Sequence, residues 1–167
     1  GIRVFDSMTG ALRRKGARVV IGSAVERGES DGRRLTGIVA QTAGRPRTYR
    51  AATFVLASGG FSSGGFQVDS HGRARETILD LAIAGAPGPG EPRFAPGYFD
   101  DHPIARAGLA VDELLRPLGA DGAPAFENLY AAGAAIEGAV PWREASGNGV
   151  SLSTGYAVAT AILQGTP

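Results

Sequence analysis

Asn128 to Gln164 reads NLYAAGAAIEGAVPWREASGNGVSLSTGYAVATAILQ, a short apolar run, a glycine-rich loop and a helical pattern in unbroken succession. Leu129-Tyr130-Ala131-Ala132 has the composition of a short buried strand. Gly133 follows it, where a turn without a Cβ lets another molecule approach the backbone. The loop from Gly138 to Gly149 carries Trp142, Arg143, Glu144, Ser146 and Asn148. From Gly149 onward Val150, Leu152, Tyr156, Ala157, Ala159, Thr160 and Leu163 recur near a 3.6-residue period, predicting an amphipathic helix that stops at Gly165. A helix opening on Gly147-Asn148-Gly149-Val150-Ser151 turns free backbone N–H groups and the positive end of its dipole toward the loop, which favours an anionic or electron-rich partner.

Working outward, Thr53-Phe54-Val55-Leu56-Ala57 is apolar without alternation, as in a central parallel strand buried on both faces. Its exit, Ser58 to Gly65, holds four glycines in eight residues. Two readings stay open for it: a flexible surface loop, or backbone pressed against a ligand at the carboxyl end of a parallel strand. Before it, Met8 to Lys15 reads as a helix capped by Gly16, and Ala17 to Gly22 is β-rich and runs on through Ala24 to Gly28. Turns at Glu29–Gly32 and Ala43–Pro46 flank an alternating strand from Arg34 to Thr42, with Arg47–Ala51 following; together these make a three-stranded β-meander.

Beyond the glycine run, Arg75 to Ile83 reads as a helix ending at Gly85, followed by a Pro/Gly loop and an irregular segment from Glu91 to Arg106. Leu109 to Asp112 reads as a short strand, and Pro117 makes the Leu114–Leu118 run an edge segment or turn.

Composition narrows the class. With 167 residues, 43% of them hydrophobic, the chain can build the core of one domain, while Gly 26 and Pro 10 make about a fifth of it, demanding many turns. A formal charge of +1 gives no basis for binding nucleic acid. Cys 0 removes disulfides, thiolate chemistry and Cys-ligated clusters, and fits a reducing cytoplasm. No run of about eighteen apolar residues supports direct membrane insertion. The opening Gly1-Ile2-Arg3 sits inside what reads as an αβ unit, which leads us to expect a piece of a longer polypeptide.

Val55 to Phe61, Gly108 to Asp112 with Leu115-Arg116-Pro117, Asn128 to Gly133, and Ser146-Gly147-Asn148-Gly149-Val150 with Thr154-Gly155-Tyr156 together resemble flavoproteins of the fumarate reductase and succinate dehydrogenase type. Within that group the chain is similar to the family formed by the B subunits of anaerobic glycerol-3-phosphate dehydrogenases, over nearly its whole length from Ala17. The resemblance implies an α/β fold, the C-terminal part of a Rossmann-like FAD-binding domain with a three-stranded β-meander and a partial cap or substrate region. Residues 1–167 would then form one incomplete flavoprotein domain: helix, meander and buried strand over 1–60, partial cap over 61–106, and flavin-contacting strand, glycine loop and helix over 107–167. No Gly-x-Gly-x-x-Gly follows an early strand, so the wall that grips the ADP part of the cofactor is expected outside these residues, in a missing N-terminal half.

The resemblance places Ser58, Gly59, Gly60, Ala132, Gly133, Gly147, Asn148, Gly149 and Val150 beside FAD or FMN. It implies oxidation of glycerol 3-phosphate or a similar small alcohol, with electrons passed to a quinone through a catalytic flavoprotein subunit and an iron–sulfur membrane-anchor subunit. The expected location is the cytoplasm, or peripherally the inner face of the cell membrane. A non-catalytic scaffold or assembly domain that keeps the flavoprotein fold is the alternative.

Two residues are candidates for catalysis. Arg143 could hold an anionic substrate or the flavin with its planar guanidinium, or simply form a surface ion pair with Glu144. His102, in Asp100-Asp101-His102-Pro103, is the better general base of the two histidines, set against a merely exposed loop histidine. Trp142 could stack on a ring or serve packing. No metal site is expected.

Overall fold

The computed structural model describes residues 2–140, 143–146 and 148–165. Helix α1 (Ile2–Arg14) starts earlier than the predicted Met8 and ends as its sequence dictates. Gly16 takes φ 80°, and the amide of Ala17 returns to the Leu12 carbonyl at 3.0 Å, closing the last turn. This helix buries none of its residues. The β-rich Ala17–Gly22 segment forms no strand: Val20 and Ile21 are exposed, and β propensity without a partner ladder does not make a strand.

The meander follows as expected. Strands β1 (Ala24–Asp31), β2 (Arg34–Gln41) and β3 (Pro46–Tyr49) pair antiparallel in sequence order. The first turn falls at Gly32-Arg33, with Gly32 at φ 55°, slightly later than the Glu29–Gly32 signal suggests. Central β2 buries Leu35, Gly37, Val39 and Ala40.

Strand β4 (Phe54–Leu56) pairs in parallel with β7 (Leu129–Ala131), in the register Phe54 to Leu129 and Leu56 to Ala131. Phe54 and Leu56 are buried, but Val55 is 47% exposed, which corrects the expectation of burial on both faces. Among the described residues, the second face of this pair is bare at Val55. The core gathers Leu35, Phe54, Leu56, Phe66, Leu81, Leu109, Leu129, Ala131 and Ala135.

Asn128 fastens the meander to this pair. Its amide group accepts from Leu35 N–H and donates to the carbonyls of Leu35 and Ala52, each at 2.9 Å, and the residue is only 5% exposed. Such a polar side chain is tolerated in a core because its hydrogen bonds are made.

The predicted helix from Arg75 to Ile83 is absent. A hairpin of β5 (Phe66–Val68) and β6 (Ala74–Glu76) takes its first residues. Glu76 then turns the chain: its carboxylate, buried to 1% exposure, accepts from the amides of Ile78 at 2.9 Å and Leu79 at 2.6 Å. A side chain that captures two nearby amides competes with a helical ladder. Leu81 enters the core, and Ile78, Leu79 and Ile83 pack against it as a folded loop.

The strand expected at Leu109–Asp112 survives as isolated bridges, Leu109 to Ile136 and Val111 to Pro117, and the Leu114–Leu118 run begins in a turn and ends as an edge segment, with Pro117 bridged to Val111 and Leu118 to Pro124. Helix α2 (Gly149–Gly165) matches its predicted bounds but is not amphipathic in its setting. Val158 is its one fully buried residue, while Leu152, Tyr156 and Leu163 stand exposed. Among the described residues no helix is long and apolar enough to cross a membrane.

Candidate functional site

Parallel pairing sets the exits of β4 and β7 side by side, although a long stretch of sequence separates them. A cavity of about 290 Å³ lies between these exits, lined by Ala57, Ser58, Gly59, Ser63, Ala132, Gly133, Ala134 and, from α2, Ser151. This is the carboxyl end of parallel strands, where open α/β sheets take ligands.

The glycines there answer to geometry. Gly59 has φ 74°, and a Cβ on it would stand 2.7 Å from Ser63; Gly133 has φ 72°, and a Cβ would stand 3.3 Å from Ser151 Oγ. Gly65 has no room at all, since its Cβ would come 2.2 Å from the Gly59 carbonyl. The Ser58–Gly65 run is therefore a tightly folded turn, closed by the Gly65 amide on the Gly60 carbonyl at 3.1 Å.

The expectation of free amides needs refinement. Ala132 N–H donates to the Leu56 carbonyl at 3.0 Å, and Gly133 N–H donates to Thr154 Oγ1 at 2.8 Å. Thr154 in turn donates to the Val150 carbonyl at 2.6 Å, and Gly149 N–H donates to the Ser146 carbonyl at 2.7 Å. Ser58 Oγ differs from these groups: it is buried and has no hydrogen-bond partner among the described residues. A buried hydroxyl left unpaired is costly, and Ser58 is the residue of this lining whose side chain has such an unused hydrogen-bonding group.

The sequence candidates divide among three places. Ser58, Gly59, Ala132 and Gly133 share the 290 Å³ cavity. Gly60 borders an adjoining cavity of about 440 Å³, which also includes Ala134. Asn148 faces a groove beside α1, and neither Gly149 nor Val150 is among the described lining of the 290 Å³ cavity. Gly147 and Trp142 lie outside the described residues. Ser151 and Thr154 escape the sequence reading; their three-residue spacing on α2 puts them on one helix face, toward the Gly133 turn.

Arg143 and His102 lie outside the lining of the 290 Å³ cavity. Arg143 Nη1 lies 2.8 Å from Asp101 Oδ1, so its partner is Asp101 and not Glu144, whose carboxylate instead accepts from Val140 N–H at 3.0 Å. Arg106 grips the same Asp101 through Nε at 3.3 Å and Nη2 at 2.5 Å. The hydrogen bond from Arg106, opposed by partial desolvation and helped by the charges of Arg106 and Arg143, holds the Asp101 carboxyl below its ordinary 3.8.

His102 is tied to its own loop: Nδ1 accepts from Ala95 N–H at 3.1 Å and Nε2 faces the Tyr98 carbonyl at 3.1 Å. A neutral ring protonated on Nε2 satisfies both contacts. Service as a base would require Nδ1 to give up Ala95.

A parallel strand pair with glycine exits meeting in one cavity, beside an antiparallel meander, is the mixed α/β arrangement of a partial FAD-binding fold. The chain belongs to the FAD binding domain family, which matches residues 1–150. It is 35% identical over 167 residues to the B subunit of the probable anaerobic glycerol-3-phosphate dehydrogenase of Halobacterium salinarum, covering 98% of this chain and 38% of that protein. Against the anaerobic glycerol-3-phosphate dehydrogenase B subunit of Yersinia pseudotuberculosis it is 36% identical over 163 residues, covering 98% of this chain and 37% of that protein. The counterpart in Vibrio cholerae is 29% identical over 164 residues, with 98% of this chain and 37% of that protein covered. The chain thus spans less than two fifths of the length of these curated relatives. No solved structure matches it.

The family decides the cofactor as FAD rather than FMN. The residues present fit it: Ser58 offers an unpaired buried hydroxyl, and Gly133 keeps the floor of the cleft open where a side chain would crowd Ser151. At about 290 Å³ the cleft falls just under the roughly 300–1,000 Å³ of ordinary ligand sites, enough for part of a dinucleotide.

Proposed function

We propose that this chain is the carboxyl-terminal part of a flavin-dependent dehydrogenase that oxidises glycerol 3-phosphate or a similar small alcohol. The observation that carries the reading is the meeting of Ser58-Gly59 and Ala132-Gly133 around one cavity at the ends of β4 and β7. The names of the relatives support the substrate class and the status of a subunit. FAD, when bound, supplies the acceptor for the two electrons that leave the alcohol.

The chain's own residues would hold and orient. Ser58 Oγ gives a hydrogen bond to the cofactor, and the Gly59 and Gly133 turns let the backbone approach it. Arg143, carried beside the substrate region on Asp101, attracts the anionic substrate; His102 takes the hydroxyl proton once Ala95 leaves Nδ1. Electrons then pass to a quinone through partner subunits, a catalytic flavoprotein and an iron–sulfur membrane anchor, at the inner face of the cell membrane. The rest of the same polypeptide supplies the opposite wall of the flavin site.

The test uses the longer polypeptide that contains this chain, purified with its partner subunits. It is expected to be yellow, to release FAD on denaturation, and to reduce a soluble quinone analogue when glycerol 3-phosphate is added. A colourless protein that takes up no FAD in a titration overturns the reading and leaves the scaffold role.

A further inference from the structure

The cavity of about 440 Å³ beside the flavin turns has the composition of a binding site rather than a packing defect. Its wall comes from Phe61, Val68, Phe94, Ile104, Ala107 and Val140, with Gly60 and Ala134 on the side toward the 290 Å³ cleft. One charged residue lines it, Arg93. Arg93 is half-buried, and among the described residues its guanidinium has neither an ion pair nor a side-chain hydrogen bond. Its Nη2 passes beside Gly72, where a Cβ would stand 3.0 Å away.

An arginine half-buried in a cavity wall without a counter-ion keeps an unused fork of N–H donors that an anionic ligand can satisfy. Nearby, Arg106 and Arg143 both bind Asp101, and the Glu144 carboxylate accepts from the N–H of the lining residue Val140 at 3.0 Å, so these neighbouring charges offset one another and the sign of the site rests on Arg93 itself. The guanidinium fork matches an oxyanion bidentately, and the apolar wall accepts the carbon body attached to it.

We propose that this cavity is the substrate chamber and that Arg93 binds the oxyanion head, phosphate or carboxylate, of a small organic substrate, presenting its carbon body toward the flavin side at Gly60 and Ala134. The assignment rests on the proposed dehydrogenase function for its direction toward FAD, but the anion site itself does not.

Arg93→Gln and Arg93→Lys in the longer polypeptide, with its partner subunits, test it by direct binding. The probes are glycerol 3-phosphate, followed by ³¹P line broadening, and lactate, followed by saturation transfer, so that a phosphate and a carboxylate head are distinguished. The unaltered protein is expected to bind one of them saturably. Arg93→Gln weakens that binding about 10- to 100-fold, as loss of a charged hydrogen-bonding partner does, while Arg93→Lys keeps part of it. FAD content stays the same in all three. Ala139→Phe, which adds bulk to the cavity wall and leaves Arg93 unsubstituted, produces the same loss and covers the case in which Arg93→Gln does not fold.

The proposal is overturned if the unaltered protein binds neither probe, or if Arg93→Gln or Ala139→Phe binds as tightly as it does. An FAD-loaded protein whose Arg93→Gln variant keeps full affinity sinks this site and leaves the flavin reading standing. A flavin-free protein that loses anion binding on Arg93→Gln does the reverse.

Discussion

Gly133 N–H donates to Thr154 Oγ1 at 2.8 Å, so a side chain in the second turn of α2 hooks the helix onto the exit of β7. This bond fixes where the helix start stands relative to the cleft, because Ser151, one turn earlier, completes the lining. Thr154→Val keeps the shape and removes the acceptor. It is expected to cost about 1–3 kcal/mol, the penalty for an unsatisfied buried amide. Thr154→Ser should restore most of it. Urea denaturation of the longer polypeptide measures the cost, and released FAD reports whether the cleft opens with it.

Gly133 and Gly59 are both left-handed, at φ 72° and 74°. Alanine at either site is expected to lose about 1–2 kcal/mol from backbone strain alone. The two should then differ. Gly59→Ala also presses on Ser63 at 2.7 Å and destabilises further, whereas Gly133→Ala reaches Ser151 Oγ at 3.3 Å and acts mainly on FAD occupancy. Thermal midpoint and bound flavin, measured on the same samples, separate these outcomes.

Asn128 makes three side-chain hydrogen bonds across two elements, and its loss cannot be made good by water at 5% exposure. Asn128→Ala is expected to destabilise by about 3 kcal/mol, near 1 kcal/mol per bond. Hydrogen exchange should localise the damage: Leu35 N–H, which donates to Asn128 Oδ1, becomes fast while the distant β5–β6 hairpin amides stay protected. Equal loss of protection in both regions would contradict the pairing described here.

Four aspartates titrate below their ordinary 3.8: Asp69 through Arg73 N–H, Asp101 through Arg106, Asp121 through Ala123 N–H, and Asp112, where burial is outweighed by Arg116 and by Leu114 N–H. A carboxyl whose folded value is depressed adds stability above its unfolded value and loses it as pH falls through the folded one. Stability is therefore expected to be flat with respect to these groups from neutrality down to about pH 5 and to fall in stronger acid, below the ordinary value of 3.8. Arg143→Ala should move the Asp101 titration upward only part of the way, since Arg106 remains. Carboxyl ¹³C shifts followed by NMR would show it.

Much of the cleft was legible in the sequence. The apolar runs at Phe54 and Leu129, each followed by glycine, identify strand exits, and the strict need for glycine at Gly59 and Gly133 comes from backbone angles that local sequence signals. Thr154 and Ser151 are harder to find, because a hydroxyl on a helix reads as polar surface until its partner is known. The helix expected at Arg75–Ile83 fails for a related reason: spacing alone does not reveal that Glu76 will be buried and will hold the amides of Ile78 and Leu79. Arg93 carries no sequence signal, since isolation from counter-charges is a property of the folded surroundings.

What residues 1–167 dictate locally is the set of elements: the meander, the capped end of α1, the bounds of α2 and the glycine turns, all of which rest on short-range propensity and φ requirements. Which of these elements meet is settled by tertiary packing. Parallel pairing of β4 with β7 brings Ser58 to Ala132, and Asp101 draws Arg143 away from Glu144. Long-range contacts of this kind are set by competition among many possible partners for burial and charge, and no window of neighbouring residues contains that competition.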